Sequence, residues 1–229
     1  MKSDIGKFTV IEPSTLSPLL CYYCGEQATS EDHLPPSCIF PDPRPTNRIS
    51  VPSCEQHNSA QSKEDEYFRW FVATASAESP IAEALIKDKV VRQFQKRPKL
   101  LRAILKRSGW IDIHTPSGIY LGKAPAFEFK RDRIQSVITR ITKGFFYHFY
   151  GKHLPDNYAV WDFLLNPQLN EEQKSVLFHT PLHEIGGETF RFRFSRDNDD
   201  PYFTAWLYMF YDRTLITTIT DKRPLGNGS

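Results

Sequence analysis

Two pairs of soft metal ligands, Cys21-Tyr-Tyr-Cys24 and Cys54-Glu-Gln-His57, are separated by 29 residues. A tight turn can carry both side chains of a pair to one point, and the two pairs together supply the four sulfur and nitrogen ligands of a tetrahedral structural zinc. An ion held by four protein groups keeps no open position for water. Its task is then to stand in for the core that a segment of about 45 residues is too short to build. Gly25, directly after the first pair, suits a knuckle whose backbone needs positive φ. The competing reading is a redox Cys-x-x-Cys pair unrelated to Cys54 and His57, but no thioredoxin-like βαβ pattern surrounds it. Cys38 has no partner at this spacing and is expected to be a buried free thiol.

Between the pairs stands Glu31-Asp32-His33-Leu34-Pro35-Pro36, and directly after the last soft ligand stands Asn58. Neighbouring side chains on an extended strand point to opposite sides, so Asp32 can face a cation shared with Asn58 while His33 faces a water. Two oxygen ligands from the protein, the rest from water and substrate, suit Mg²⁺ or Mn²⁺ rather than a second zinc. A histidine with an ordinary pKa of about 6.5 is largely neutral above pH 7 and can accept a proton. An Asp-His pair alone is commonly turn chemistry; its place between two complete ligand pairs is what gives it meaning. Lys63, one turn on, is placed to touch a substrate held by this cation. Glu64, Asp65 and Glu66 read as an acidic cluster favourable to a helix N-terminus, and Pro35 and Pro36 as loop-fixing residues.

The order Cys-x-x-Cys, Asp-His-x-x-Pro, Val51-Pro-Ser-Cys54-x-x-His57-Asn58, Ser62-Lys-Glu-Asp-Glu-Tyr67 resembles the zinc-containing branch of the HNH (ββα-metal) endonucleases, over residues 21–68. The resemblance implies a zinc-stapled ββα-metal module that hydrolyses nucleic-acid phosphodiesters, DNA rather than RNA. It implies His33 as general base, Asp32 and Asn58 as ligands of a catalytic Mg²⁺ or Mn²⁺, and Cys21, Cys24, Cys54 and His57 as ligands of structural Zn²⁺. Asn47 is the candidate for the family's middle asparagine, whose hydrogen bonds hold the ββ loop and orient the base. Two departures stand out: a Pro41-Asp-Pro-Arg-Pro45 insertion before Asn47, and His57 where a cysteine is usual. Two other functions compete. A non-cleaving zinc module for nucleic-acid binding would predict loss of Asp32, His33 or Asn58, all of which are present. An effector subunit of a defence or mobile-element system would have its nuclease controlled by a protein partner.

The elements that must position these residues belong to a chain of 229 residues, 40% apolar, 14% aromatic and 24% charged, the composition of an ordinary globular protein. No apolar run approaches a membrane span and the N-terminus lacks an apolar signal core, so a cytoplasmic protein is expected. The net charge of +2 selects no partner. Its distribution says more: nine basic residues between Lys87 and Arg107 face one acid, Asp88. Arg97, Lys99 and Arg102 in this run are candidate contacts to a nucleic-acid backbone. Lys130, Arg131, Arg133, Arg140, Lys143 and Lys152 form a second basic group that would favour phosphate if they share a face.

The expected fold is α+β, with a metal-bound module at 1–79 and a second α+β domain at 80–229. A strand is predicted at Phe8–Ile11, a turn-rich stretch to about residue 58, and a helix from Ser59 to the break at Ser79-Pro80. Helices follow at about 81–95 and 98–107, then short strands at 111–113, 118–121 and 126–129. Ile134, Val137, Ile138, Ile141, Phe145 and Phe149 draw the stripe of a helix that Gly151 closes. Phe190, Phe192 and Phe194 alternate with Arg191 and Arg193 in a strand, and 203–211 with 214–220 read as a hairpin. The remaining histidines and aromatics, Trp161, Trp206, Tyr208 and Tyr211 among them, read as packing.

Overall fold

The computed structural model describes residues 19–164, 175 and 178–222. The strand predicted at Phe8–Ile11 lies outside them. The turn-rich stretch contains an antiparallel pair, β1 (Ser30–Leu34) and β2 (Ile49–Ser53), in which Asp32 stands opposite Val51 and His33 opposite Ser50. Two 3-10 turns, Glu55–His57 and Ser59–Gln61, lead into α1 (Ser62–Ala75). Its residues Tyr67, Phe68, Phe71 and Val72 are buried, as their spacing requires.

Pro80 opens α2 (Pro80–Leu85), which runs through a π-turn at Ile86–Val90 into α3 (Val91–Lys96); α4 (Pro98–Leu105) follows. The short strands predicted beyond 110 are one hairpin, β3 (Ser108–His114) and β4 (Tyr120–Phe127). It stands out from the body with Trp110, Ile111, Ile119, Tyr120 and Leu121 exposed. Next comes α5 (Arg131–Tyr150), ended by Gly151 at φ 63°.

The C-terminal sheet has the antiparallel order β5-β9-β8-β7-β6. Its strands are β5 (Ala159–Leu164), β6 (His183–Ile185), β7 (Phe190–Arg196), β8 (Thr204–Phe210) and β9 (Thr214–Asp221). Period-two alternation turns Phe190, Phe192, Trp206, Tyr208 and Phe210 to one face, where Phe145 of α5 stacks on Phe192 with centroids 4.6 Å apart. Thr142 of α5 meets Tyr208 and Thr218 on the same face through hydroxyl contacts of 2.9 and 3.1 Å. The sheet therefore receives α5 through aromatic stacking plus satisfied buried hydroxyls.

No break in the core marks the boundary expected at residue 79. Tyr22, Leu34, Val51 and Phe68 share one buried cluster with Ile138, Phe145, Phe190 and Ile216. α5 achieves this by packing on both sides. Gly144 leaves room for Leu34 of β1; a Cβ there would stand inside the radius of the leucine's methyls. The loop between β1 and β2 is also tied to the sheet: Tyr211 Oη donates to the Ile39 carbonyl at 2.8 Å. Among the described residues no helix is long and apolar enough to cross a membrane.

Candidate metal centre and active-site pocket

The first knuckle turns at Gly25, whose φ of 75° suits glycine and whose N–H donates to the Cys21 carbonyl at 2.9 Å. Tyr22 N–H donates to the Pro52 carbonyl at 2.9 Å, which brings the knuckle beside the end of β2, where Cys54 follows. The ligand atoms of Cys21, Cys24, Cys54 and His57 thereby lie within 4.8 Å of one another. Cys24 Sγ is 3.8 Å from Cys54 Sγ, and His57 Nδ1 is 3.2 Å from Cys54 Sγ and 3.9 Å from Cys21 Sγ. Metal–ligand distances of about 2.3 Å to sulfur and about 2.0 Å to nitrogen give tetrahedral edges of roughly 3.8 and 3.6 Å. The four groups can therefore hold a metal ion, and their kind and spacing are compatible with structural zinc.

The surroundings brace this cluster. Tyr23 stacks on the His57 ring at 4.2 Å, and Lys143 Nζ sits 4.1 Å from the Tyr23 centroid. His153 Nε2 lies 2.7 Å from the Cys21 carbonyl, a support that no ligand spacing in the sequence announced. Cys38 takes no part. Its thiol donates to the Asp65 carbonyl at 3.3 Å, and burial pushes its pKa up to about 12.

Next to this Cys/His cluster, a pocket of about 290 Å³ opens between the β1–β2 pair and α1. Asp32, His33 and Asn58 all line it, together with Asp65, Glu66, Arg44 and Arg69. Antiparallel register sets Ser50 across from His33, and Ser50 Oγ lies 2.9 Å from His33 Nδ1. Partial burial and the nearby Arg48 guanidinium hold the His33 pKa below its ordinary value. Asn58 falls between the two 3-10 turns, ahead of α1 rather than on it. Its Nδ2 donates to Ser30 Oγ at 2.8 Å and to the Glu31 carbonyl at 2.9 Å, so Oδ1 is the amide atom these bonds leave over.

Asp32 is buried. Tyr22 Oη donates to its Oδ2 at 3.0 Å and Arg140 Nη1 reaches the same oxygen at 3.4 Å. Arg140 also pairs with Asp65 through Nη2 and approaches the His57 carbonyl at 3.5 Å. Burial raises the pKa of both carboxylates, that of Asp65 to about 6, against the opposing pull of Arg140. One cation thus stands between two acids, and its side chain is only 5% exposed.

The structure places the remaining expected site residues as follows. Asn47 holds the ββ loop through bonds directed away from His33: its Nδ2 donates to the Glu184 carbonyl at 3.0 Å, and its Oδ1 accepts from Gly186 N–H at 3.3 Å. It fastens the ββ loop to β6, and Ser50 is the residue in contact with the imidazole. Lys63 is exposed and does not line the pocket, which Arg44 does instead. Glu64 and Asp65 do stand in the first turn of α1; Asp65 and Glu66 also line the pocket, and Glu64 pairs with Arg133 at 2.5 Å. The second basic group does not form a free phosphate-facing strip. Arg131 pairs with Asp162, Arg133 with Glu64 and Arg140 with Asp32 and Asp65, and Lys143 lies over Tyr23. Arg97 pairs with Glu66 at 3.1 Å, and Lys99 and Arg102 are exposed on α4.

Sequence reasoning missed Ser50, Tyr22, Asp65 and Arg140 as neighbours of the site. Arg140 had a usable signal. It stands three residues after Val137 and four before Gly144, on the buried side of the α5 stripe, and a charge there demands a buried partner. Comparison of the chain with family models, with curated proteins and with solved structures gives no match.

Proposed function

We propose that this protein is a metal-dependent endonuclease that hydrolyses phosphodiester bonds of DNA. The observation that supports it most is the convergence of Asp32, His33 and Asn58 on one pocket beside a four-ligand metal cluster, with the imidazole of His33 held through Nδ1. A His33 that donates its Nδ1 proton to Ser50 Oγ presents the lone pair of Nε2. Its lowered pKa keeps it neutral at neutral pH, the form a general base needs. Arg44 and Arg69 give the pocket wall the positive charge that an entering phosphate requires.

Asp32 and Asn58 are the residues that would hold a divalent cation, Asn58 through the Oδ1 that its Nδ2 bonds leave over. Mg²⁺ or Mn²⁺ bound there would supply Lewis-acid stabilisation of charge on the phosphate and the leaving oxygen. Tyr22 and Arg140 fix the Asp32 carboxylate, so its orientation is set before substrate arrives. The Cys21, Cys24, Cys54 and His57 cluster would carry Zn²⁺ as a staple with no part in the chemistry. These roles are the ones that the resemblance of residues 21–68 to HNH endonucleases implies.

The test is nicking of supercoiled plasmid by wild-type protein and by His33→Ala, with Mg²⁺ or Mn²⁺ added or omitted. The expected result is cutting that requires the divalent ion and disappears in a His33→Ala protein that is still folded and zinc-loaded. Cutting that survives the substitution, or none on plasmid with either ion, would overturn the proposal.

A further inference from the structure

We infer that a second, basic cleft beside the candidate catalytic pocket binds the phosphate backbone of the DNA strand seated in that pocket. This inference rests on the phosphodiesterase reading of the site. The cleft, of about 240 Å³, lies between α1 and the α2–α3 helix and is lined by Arg69, Lys89, Arg92, Lys96 and Arg97 with Gln93 and Glu66. Glu66 and Arg69 line both cavities, so the two are neighbours across a shared wall. A strand lying in the first continues naturally into the second.

The charge of the cleft is only partly spent on internal partners. Lys89 lies 3.1 Å from Asp42 and donates to the Phe40 carbonyl at 2.8 Å; Arg92 pairs with Asp88 one turn back; Arg97 pairs with Glu66 at 3.1 Å. Arg69 Nη2 donates to Gln93 Oε1 at 2.6 Å, while its Nε is buried with no hydrogen-bond partner. Lys96 has no carboxylate within ion-pair distance among the described residues. Five cations against the carboxylates of Asp42, Asp88 and Glu66 leave two positive charges uncompensated. Exposed pairs such as Arg92 with Asp88 are worth little in water, so a phosphate oxygen can replace the carboxylate at low cost. Beyond Arg97 the exposed Lys99, Arg102 and Lys106 carry the positive surface on along α4. A row of cations leading away from a pocket matches a polyanion rather than a single small anion.

The experiment uses His33→Ala protein, which leaves the strand whole, titrated with a short fluorescent DNA duplex over a range of salt concentrations. Each phosphate contact contributes about 0.9 to the slope of log K against log salt. Adding Arg92→Ala and Lys96→Ala is expected to reduce that slope by about 1.8 and to weaken binding equally across sequences. Arg196→Ala with Lys222→Ala, at the other end of the C-terminal sheet, removes the same charge and is expected to leave the slope unchanged. An unchanged slope in the cleft variant, an equal fall in the control, or no DNA binding by the parent would overturn the inference. Wild-type plasmid nicking separates the two ideas: nicking with an unchanged slope sinks the cleft and leaves the nuclease, whereas a fallen slope without nicking supports the DNA contact and sinks the nuclease.

Discussion

Replacing Arg140 by methionine removes a charge that the buried Asp32 and the partly buried Asp65 share, while keeping most of the side chain's bulk. Arg140 is 5% exposed, lies 3.4 Å from Asp32 Oδ2 and is paired with Asp65. Deleting one member of a buried ion pair leaves an uncompensated charge and costs about 3–5 kcal/mol. That is a large share of the roughly 5–15 kcal/mol by which domains are stable. With a urea dependence of about 3 kcal/mol per molar, the midpoint is expected to fall by about 1 to 1.7 M. The decisive arm repeats the substitution in Asp65→Asn. There only Asp32 is left charged, so Arg140→Met is expected to cost less by about 1–3 kcal/mol, a coupling typical of directly paired residues. Urea unfolding followed by tryptophan fluorescence measures all four proteins. A cost below about 1 kcal/mol for Arg140→Met, or the same cost in both backgrounds, would refute the view that Arg140 neutralises this pair.

Metal content separates the cysteines: Cys54→Ser is expected to lose bound zinc and Cys38→Ser to keep it, read by atomic emission on purified protein. Ser50→Ala removes the contact to His33 Nδ1 and is expected to lower kcat roughly tenfold with little change in KM, as for other partners that only orient a reacting side chain. A matching rise in KM would instead mean that Ser50 binds substrate. His183 lies against Phe149, Phe192 and Phe194, and burial lowers its pKa from 6.5. The unfolded chain then takes up the proton first on acidification, so stability is full above about pH 6.5 and declines as pH falls through the lowered value. Urea midpoints at neutral and mildly acidic pH are expected to show this decline in wild type and less of it in His183→Phe.

Legibility in the sequence followed the length of each pattern. The α5 stripe from Ile134 to Phe149 runs over roughly four turns, and its burial and its Gly151 terminus came out as spaced. The ligand pairs were equally plain, because the spacing within each pair is local. The residues around the pocket were harder where partners are remote. Asn47 meets Glu184 and Gly186, 137 and 139 residues on, and no local pattern announces such a pairing. Ser50 needed the strand register, which depends on where the β1–β2 loop ends and so on a Pro-rich insertion with no periodicity. β5 and β6 went unpredicted because Ala159–Leu164 alternates poorly and His183–Ile185 is three residues long. That residues on both sides of position 79 share one buried cluster was not legible, because α5 packs on two sides and a single stripe hides the second.

The β1–β2 pair has the two Cys/His ligand pairs close to it in sequence, yet the charge that balances its buried aspartate is lent by a helix roughly a hundred residues away. That loan limits portability. Transplanted to another scaffold, residues 19–79 would carry all four candidate metal ligands but also an aspartate in need of a guanidinium, and the new host would have to present one at the same place. Recombination that swaps the C-terminal half between distant versions of this protein should therefore succeed only when the incoming helix brings an arginine in register with Arg140.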